Sequence, residues 1–284
     1  MNPLTQARSI CFVGAGSMAE AIIKGLIDTK LLAPGQISAI NRSHAPRLEE
    51  LAALYGITIP ADEADKSRLI READIVVLAM KPKDAGTAIT ALSPLLYDGQ
   101  LLISVIAGLS ISALQELLGK KLPIIRTMPN TSSTIGLGAT GMSLSSEVTK
   151  EQERLATAIF ESVGIVKIVD EQLLDAVTGV SGSGPAYIYY VMEAMIQGGI
   201  ECGLAPDAAR ELTVQTVLGA AKMVQQTGEE PAELRRKVTS PGGTTQAALE
   251  LMADYKLQEA VINGVKRAAE RARELGALFG GGKA

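Results

Sequence analysis

The sequence is poor in the residues that hold metals or staple folds. It has two cysteines, Cys11 and Cys202, and a single histidine, His44, in 284 residues. That excludes a disulfide framework and a zinc cluster, and all but excludes a histidine triad. Both cysteines stand in apolar surroundings, ICFVG and IECGL, and read as buried, inert thiols. Trp is absent and aromatics make up 3 % of the chain, so Ala, Ile, Leu and Val must fill the core. Positive charge is not in excess: the formal net charge is -4. A nucleic-acid binder, with its basic patch, is therefore not expected. The apolar stretch 101–114 is broken by Gly108 and by serines, and falls short of the roughly 20 residues that a helix needs to cross a membrane. The opening MNPLTQARS runs straight into a strand and a glycine turn, unlike a secretory signal. A cytoplasmic protein without a membrane partner is expected.

What is present fits about two domains at the usual ~100–200 residues each. Hydrophobic residues are 47 % and charged residues 20 % of the chain, an ordinary globular balance. The first part alternates short apolar runs with amphipathic stretches. Strands are expected at 9–13, 36–40, 56–59, 75–80, 101–105, 123–128, 135–144 and 164–169, and helices at 17–29 and 46–55, with another closing over 68–73. Continuous apolar strands between helices indicate a parallel sheet covered on both faces. Residues 1–170 thus read as an α/β, doubly wound dinucleotide-type domain. Residues 171–284 read as an all-α domain, punctuated by GSGP, GLAP, TGEEP and SPGG. Within it, 187–202 has strongly polar residues only at Glu193, Gln197 and Glu201, one narrow helical stripe. A helix apolar on its other sides must be buried. About 110 residues struggle to enclose it alone, so a second copy of the chain is the natural cover.

Gly14-Ala15-Gly16-Ser17-Met18-Ala19 follows the first strand and opens a helix. Gly14 permits the tight turn, Gly16 lets a pyrophosphate approach the backbone, and Ala19 is small enough for helix–strand packing. The helix start offers free N–H groups to phosphates. The second strand ends in Asn41-Arg42-Ser43, where an NAD site usually places an acid for the ribose 2′-OH. A guanidinium and a hydroxyl suit a 2′-phosphate instead, which favours NADPH over NADH; the bland alternative is a solvated loop charge. Ala79-Met80-Lys81-Pro82 closes the strand at 75–80, at the sheet edge where ligands bind. Lys81 is either a cofactor neighbour or a solvated charge. Small residues at 105–108, Ala107 among them, allow cofactor approach.

Gly179-Val180-Ser181-Gly182-Ser183-Gly184-Pro185 precedes the apolar helix. Hydroxy-acid dehydrogenases of related architecture carry a proton-transferring Lys four residues after the last of these glycines; here that position is Ile188. Oxidation of an alcohol needs a base for the hydroxyl proton, whereas an already protonated imine does not. Ser240-Pro241-Gly242-Gly243-Thr244-Thr245 opens another helix, with glycines, a helix start and hydroxyls suited to a carboxylate. The plain alternative is a helix cap by Ser240 or Thr244.

Taken together, GAGSMA, NRS, AMKP, DAVTGVSGSGPAY and VTSPGGTT resemble 1-pyrroline-5-carboxylate reductase over essentially the whole chain. The resemblance implies a Rossmann domain plus a helical domain exchanged between the subunits of a homodimer, which often assembles further. It implies NAD(P)H-dependent reduction of 1-pyrroline-5-carboxylate to L-proline, the last step of proline biosynthesis, at C5 of a cyclic iminium. The substrate carboxylate would lie on the backbone of Thr244 and Thr245, with Ser240 and Gly243 in the same loop. The Thr245 hydroxyl would face the ring nitrogen, and Glu171 would stand near the substrate. Ala107 and Lys81 would touch the cofactor. One departure is local: where the family commonly has an adenosine-contacting Asn, this chain has Pro60-Ala61-Asp62-Glu63. Two other readings remain: another NADP-linked imine or deazaflavin reductase on the same fold, or a non-enzymatic sensor of NADP and a carboxylate.

Overall fold

The computed structural model describes residues 8–42 and 45–280, with side chains placed up to residue 277. Ser43 and His44 lie outside the described residues. Among the described residues, seven strands form one sheet: β1 (Ile10–Val13), β2 (Ile37–Ile40), β3 (Ile75–Leu78), β4 (Leu101–Ser104), β5 (Ile124–Met128), β6 (Gly138–Leu144) and β7 (Gly164–Ile168), in the order β2-β1-β3-β4-β5-β6-β7. The helices are α1 (Ser17–Asp28), α2 (Ala45–Tyr55), α3 (Glu63–Glu72), α4 (Pro82–Leu92), α5 (Ile111–Leu118), α6 (Lys150–Glu161), α7 (Leu174–Val177), α8 (Gly184–Glu201), α9 (Pro206–Thr227), α10 (Pro231–Lys237), α11 (Thr244–Asp254) and α12 (Leu257–Gly280).

Strands β1 to β4 are wholly buried, the mark of a sheet covered on both faces. Alternate residues enter different cores. Ile10 and Phe12 pack with Ile22, Leu26, Ile159 and Phe160; Cys11 and Val13 pack with Ile70, Ile89, Leu114 and Leu118. Polar side chains fix where the covering helices begin. Ser110 accepts from the Ala113 N–H at 3.1 Å, and Thr149 and Gln152 form a capping box at α6. Asp62 accepts from the Asp65 N–H at 2.7 Å, so the aberrant PADE segment is the start of α3.

The structure departs from the sequence expectations in four places. The expected strand at 56–59 is reduced to a single bridge, Ser38 with Thr58. The expected strand at 135–144 begins only at Gly138, because 131–135 forms a 3₁₀ turn. That short connection makes β6 antiparallel to β5, which needs no crossover helix, while every other pairing is parallel. Cys11 is buried as expected, but Cys202 is exposed at the end of α8, beside the Gly203 turn.

The chain forms two compact units. The first runs through Gly182 and resumes at Arg267; the second is Ser183–Lys266. The division after residue 170 expected from the sequence marks the end of the strands. Packing carries the first unit further, because Leu174 is buried and Val177 sits where a side chain on Gly141 of β6 would stand. The second unit is helical throughout, with α8 against α9, where Gly199 admits Ala209 and Leu204. The chain by itself buries no residue of α8: Ile188, Tyr189, Tyr190, Val191 and Met195 are all exposed, Tyr190 by 76 %. Among the described residues no helix is long and apolar enough to cross a membrane.

Candidate active site

From β1 the chain moves outward to β2, then returns past β1 to β3 on its other side. The crevice at the carboxyl ends of β1 and β3 is therefore the topological switch point, where open α/β sheets bind ligands. Gly14 occupies it with φ +115°, and a Cβ there would stand 2.5 Å from the Ala79 carbonyl oxygen. Only glycine fits this turn. Its N–H donates to the Ile40 carbonyl at 2.8 Å, tying β1 to the end of β2. Gly16 precedes α1, has no side chain capping the helix, and faces open space: nothing lies within 4 Å of its missing Cβ. Ser17 is exposed in the first turn, Ala15 and Ala19 are buried, and Met18 packs on the core. Bare N–H groups, an open approach and a positive helix end fit a dinucleotide pyrophosphate.

Beside this turn lies a cavity of about 590 Å³, lined by Gly14, Asn41, Arg42 and Met80 from the strand ends. Its walls are the apolar and polar faces of α3 and α4, including Lys66, Ser67, Ile70, Asp84, Thr87 and Leu92. Arg42 is exposed and stands 3.7 Å from Asp84. Ala79 continues the ladder through its N–H to the Val13 carbonyl, and Lys81 and Pro82 start α4. Lys81 is exposed. Ala107 is exposed just past β4, next to Gly108. Group by group, the expected cofactor residues gather at one end of the sheet, with Ser43 outside the described residues.

Several residues here went unnoticed in the sequence. Arg47, in the first turns of α2, donates from Nε to the Ala15 carbonyl at 3.1 Å and from Nη2 to Glu20, whose other oxygen accepts from Tyr55 at 3.0 Å. Burial opposes the charge of Glu20, yet the bonds from Arg47 and Tyr55 outweigh it and hold its carboxyl below the usual range. The turn is thus braced from a helix 32 residues away in the chain, and no local motif announces that. Lys66, Ser67 and Asp84 were hidden for the same reason. Asn130 also escaped notice: it donates to the Ser181 carbonyl at 3.0 Å and accepts from Ala139 at 3.1 Å, pinning the glycine segment to the sheet.

Glu171 is already engaged. Its Oε1 accepts from the Ile111 N–H at 2.8 Å and from Arg126 at 3.0 Å. Arg126 also lies 3.9 Å from Asp175, which in turn is 3.8 Å from Arg273.

In the second unit, the SPGG turn folds back on itself. Gly242 has φ +72° and donates to Gln246 at 2.7 Å, while the Gly243 N–H donates to the Ser240 carbonyl at 3.0 Å. Gly243 is the residue that precedes α11, and no side chain caps the helix. Neither Ser240 nor Thr244 therefore takes the capping role that was the plain alternative. The first N–H groups of α11, on Thr244 and Thr245, are presented bare; Thr244 is exposed and Thr245 half-buried. Such an end suits an anion. Among the described residues no cluster of His, Cys, Asp and Glu could hold a metal ion.

Comparison with known proteins agrees with this layout. Residues 9–108 match the family model "NADP oxidoreductase coenzyme F420-dependent", and residues 171–275 match "Pyrroline-5-carboxylate reductase dimerisation". Pyrroline-5-carboxylate reductase 2 of Bacillus subtilis is 43 % identical over 96 % of this chain and 97 % of its own length. The solved pyrroline-5-carboxylate reductase of Coxiella burnetii superposes with TM-score 0.88 at 37 % identity, covering 95 % of this chain and 99 % of that one. The Plasmodium falciparum enzyme, solved with NADP bound, gives TM-score 0.84 at 28 % identity over 95 % and 98 % of the two chains. The match over 9–108 accounts for the nucleotide half alone, whereas the dimerisation model and the full-length relatives account for the rest. The chain is an NAD(P)H-linked oxidoreductase with a dimerisation domain, and it belongs to the pyrroline-5-carboxylate reductase family.

Proposed function

We propose that this protein reduces 1-pyrroline-5-carboxylate to L-proline, with NADPH the preferred reductant and NADH a weaker one. It does so in the cytoplasm as a homodimer joined through residues 171–284, which can assemble further. The observation that carries this reading is the presence, on a chain of this family, of both a glycine turn open to a pyrophosphate and an uncapped helix start with two threonines. The bound dinucleotide supplies a hydride to C5 of the cyclic iminium. The substrate carboxylate rests on the N–H groups of Thr244 and Thr245, and the Thr245 hydroxyl orients the ring nitrogen. Glu171, fixed through Oε1 by Ile111 and Arg126, meets the substrate through its other oxygen. Ile188 stands where an alcohol dehydrogenase needs its base, which suits a substrate that arrives protonated. Orientation and exclusion of water then account for most of the rate. The exposed apolar face of α8 is covered by the partner copy.

The test is NADPH oxidation by the purified protein with 1-pyrroline-5-carboxylate, with proline measured as product. Matched consumption and formation are expected. No turnover, together with NADP reduction by a reduced deazaflavin, would replace this reading with the rival one.

A further inference from the structure

The cavity beside the glycine turn is lined by four charged side chains, and they are matched in pairs. Arg42 Nη1 lies 3.7 Å from Asp84 Oδ1, and Lys66 Nζ lies 3.0 Å from Glu63 Oε1. A pocket built only for a doubly charged phosphate would carry a surplus of cations; this one, among its described residues, is balanced. The two members of the first pair differ in freedom. The Arg42 side chain is 80 % exposed and hangs from a loop, whereas that of Asp84 is 38 % exposed and fixed in the first turn of α4. Arg42 can leave the pair at little cost, because an exposed pair at this distance is weak. Asp84 cannot follow it.

Resting on the reading of this cavity as the adenosine end of the NAD(P)H site, we propose that Asp84 sets how strongly the site prefers NADPH over NADH. A 2′-phosphate must take Arg42 from Asp84 and then tolerate that carboxylate close by. A free 2′-hydroxyl leaves the pair intact and carries no charge to repel. Asp84 therefore lowers affinity for the phosphorylated cofactor selectively, and keeps the unphosphorylated one competitive. It is a specificity-determining residue, supplied by α4 rather than by the end of β2 where an acid usually acts.

Titration calorimetry on the full-length protein, with adenosine 2′,5′-bisphosphate and with AMP, separates the outcomes. Asp84→Asn is expected to tighten the bisphosphate about 3- to 10-fold, the scale of one partly screened charge, and AMP less than about 2-fold. Asp84→Ser, which keeps an acceptor in the first turn of α4, should give the same shift if the Asn variant folds poorly. Arg42→Ala should collapse the ratio of the two affinities, and adding Asp84→Asn to it should restore part of that ratio, because the repulsion between the carboxylate and the 2′-phosphate does not require Arg42. If Arg42→Ala collapses the ratio but neither Asp84 variant raises it, the role of Asp84 is refuted and the cofactor reading stands. An unchanged ratio in Arg42→Ala overturns the cofactor reading and this proposal with it.

Discussion

Replacing Arg47 by Ala removes the brace behind the glycine turn, and the structure sets the size of the effect. The guanidinium donates to Glu20, to the Ala15 carbonyl at 3.1 Å and to Glu50 at 2.6 Å. Its side chain is 23 % exposed and that of Glu20 is 29 % exposed. A charge-assisted bond in such a place contributes about 1.5–3 kcal/mol, and the Glu50 pair, within one helix and more exposed, adds only a few tenths. A loss of about 2–3 kcal/mol is expected. For a unit of this size that lowers the unfolding midpoint by roughly 5–10 °C. The pH dependence follows from Glu20, whose carboxyl is held below its ordinary 4.5 in the folded chain. Its contribution is complete above the unfolded value and is lost as pH falls through the lower, folded one. The gap between wild type and Arg47→Ala should thus be full at neutral pH and narrow below pH 4.5. Circular-dichroism melting at one fixed protein concentration measures both, since dimerisation makes the midpoint concentration-dependent. A neutral-pH gap below about 1 °C, or one that does not shrink with acid, would refute the reasoning.

Gly14→Ala forces a Cβ to 2.5 Å from the Ala79 carbonyl at φ +115°, so it should cost a few kcal/mol and abolish NADPH binding in calorimetry; a well-folded, binding variant would show that the turn can rearrange. Thr245→Ala should lower kcat/KM by roughly 10- to 100-fold and leave cofactor affinity unchanged, while Thr245→Ser keeps most activity; full activity in the Ala variant would move the substrate site elsewhere. Burial pushes the Cys11 thiol up to about 11, although a bond with Ser38 pulls the other way. Its neutral form therefore supports the fold fully below pH 9.0, and stability falls as pH climbs from there toward about 11. In a thiol titration at neutral pH, Cys11 should react only on unfolding, and labelling of the native chain would contradict its burial.

The parallel part of the sheet was legible because strands such as Ile10–Val13 and Ile75–Leu78 are short, continuous apolar runs set between amphipathic segments. Direction was harder to read. Nothing in Gly138–Leu144 itself says antiparallel; that follows from the short 3₁₀ connection before it, whose residues Thr131–Ile135 look locally like more strand. The segment 56–59 has strand-forming residues too, but only Thr58 finds a partner, Ser38 inside the edge strand Ile37–Ile40, and Pro60 two residues on has no N–H to carry the ladder further. Likewise, the apolar composition of α8 declared a buried helix, yet the chain by itself buries none of its residues.

For the site, legibility followed distance along the sequence. The glycine turn and the SPGGTT loop are contiguous, so the conformational demands on Gly14 and Gly242 could be read from their neighbours. Charges behaved otherwise, since a charge in a sequence carries no partner. Arg42 read as a free guanidinium, and the structure sets it against Asp84; Glu171 read as a substrate contact, and its Oε1 is already held by Ile111 and Arg126. Arg47 gave no signal, although it touches the very turn the motif identifies. The backbone of a dinucleotide site is thus written locally, while its charge balance is written between helices far apart in the chain. Cofactor preference depends on that balance. The proposed role of Asp84 places part of the choice between NADPH and NADH on α4, at a residue that no nucleotide motif includes.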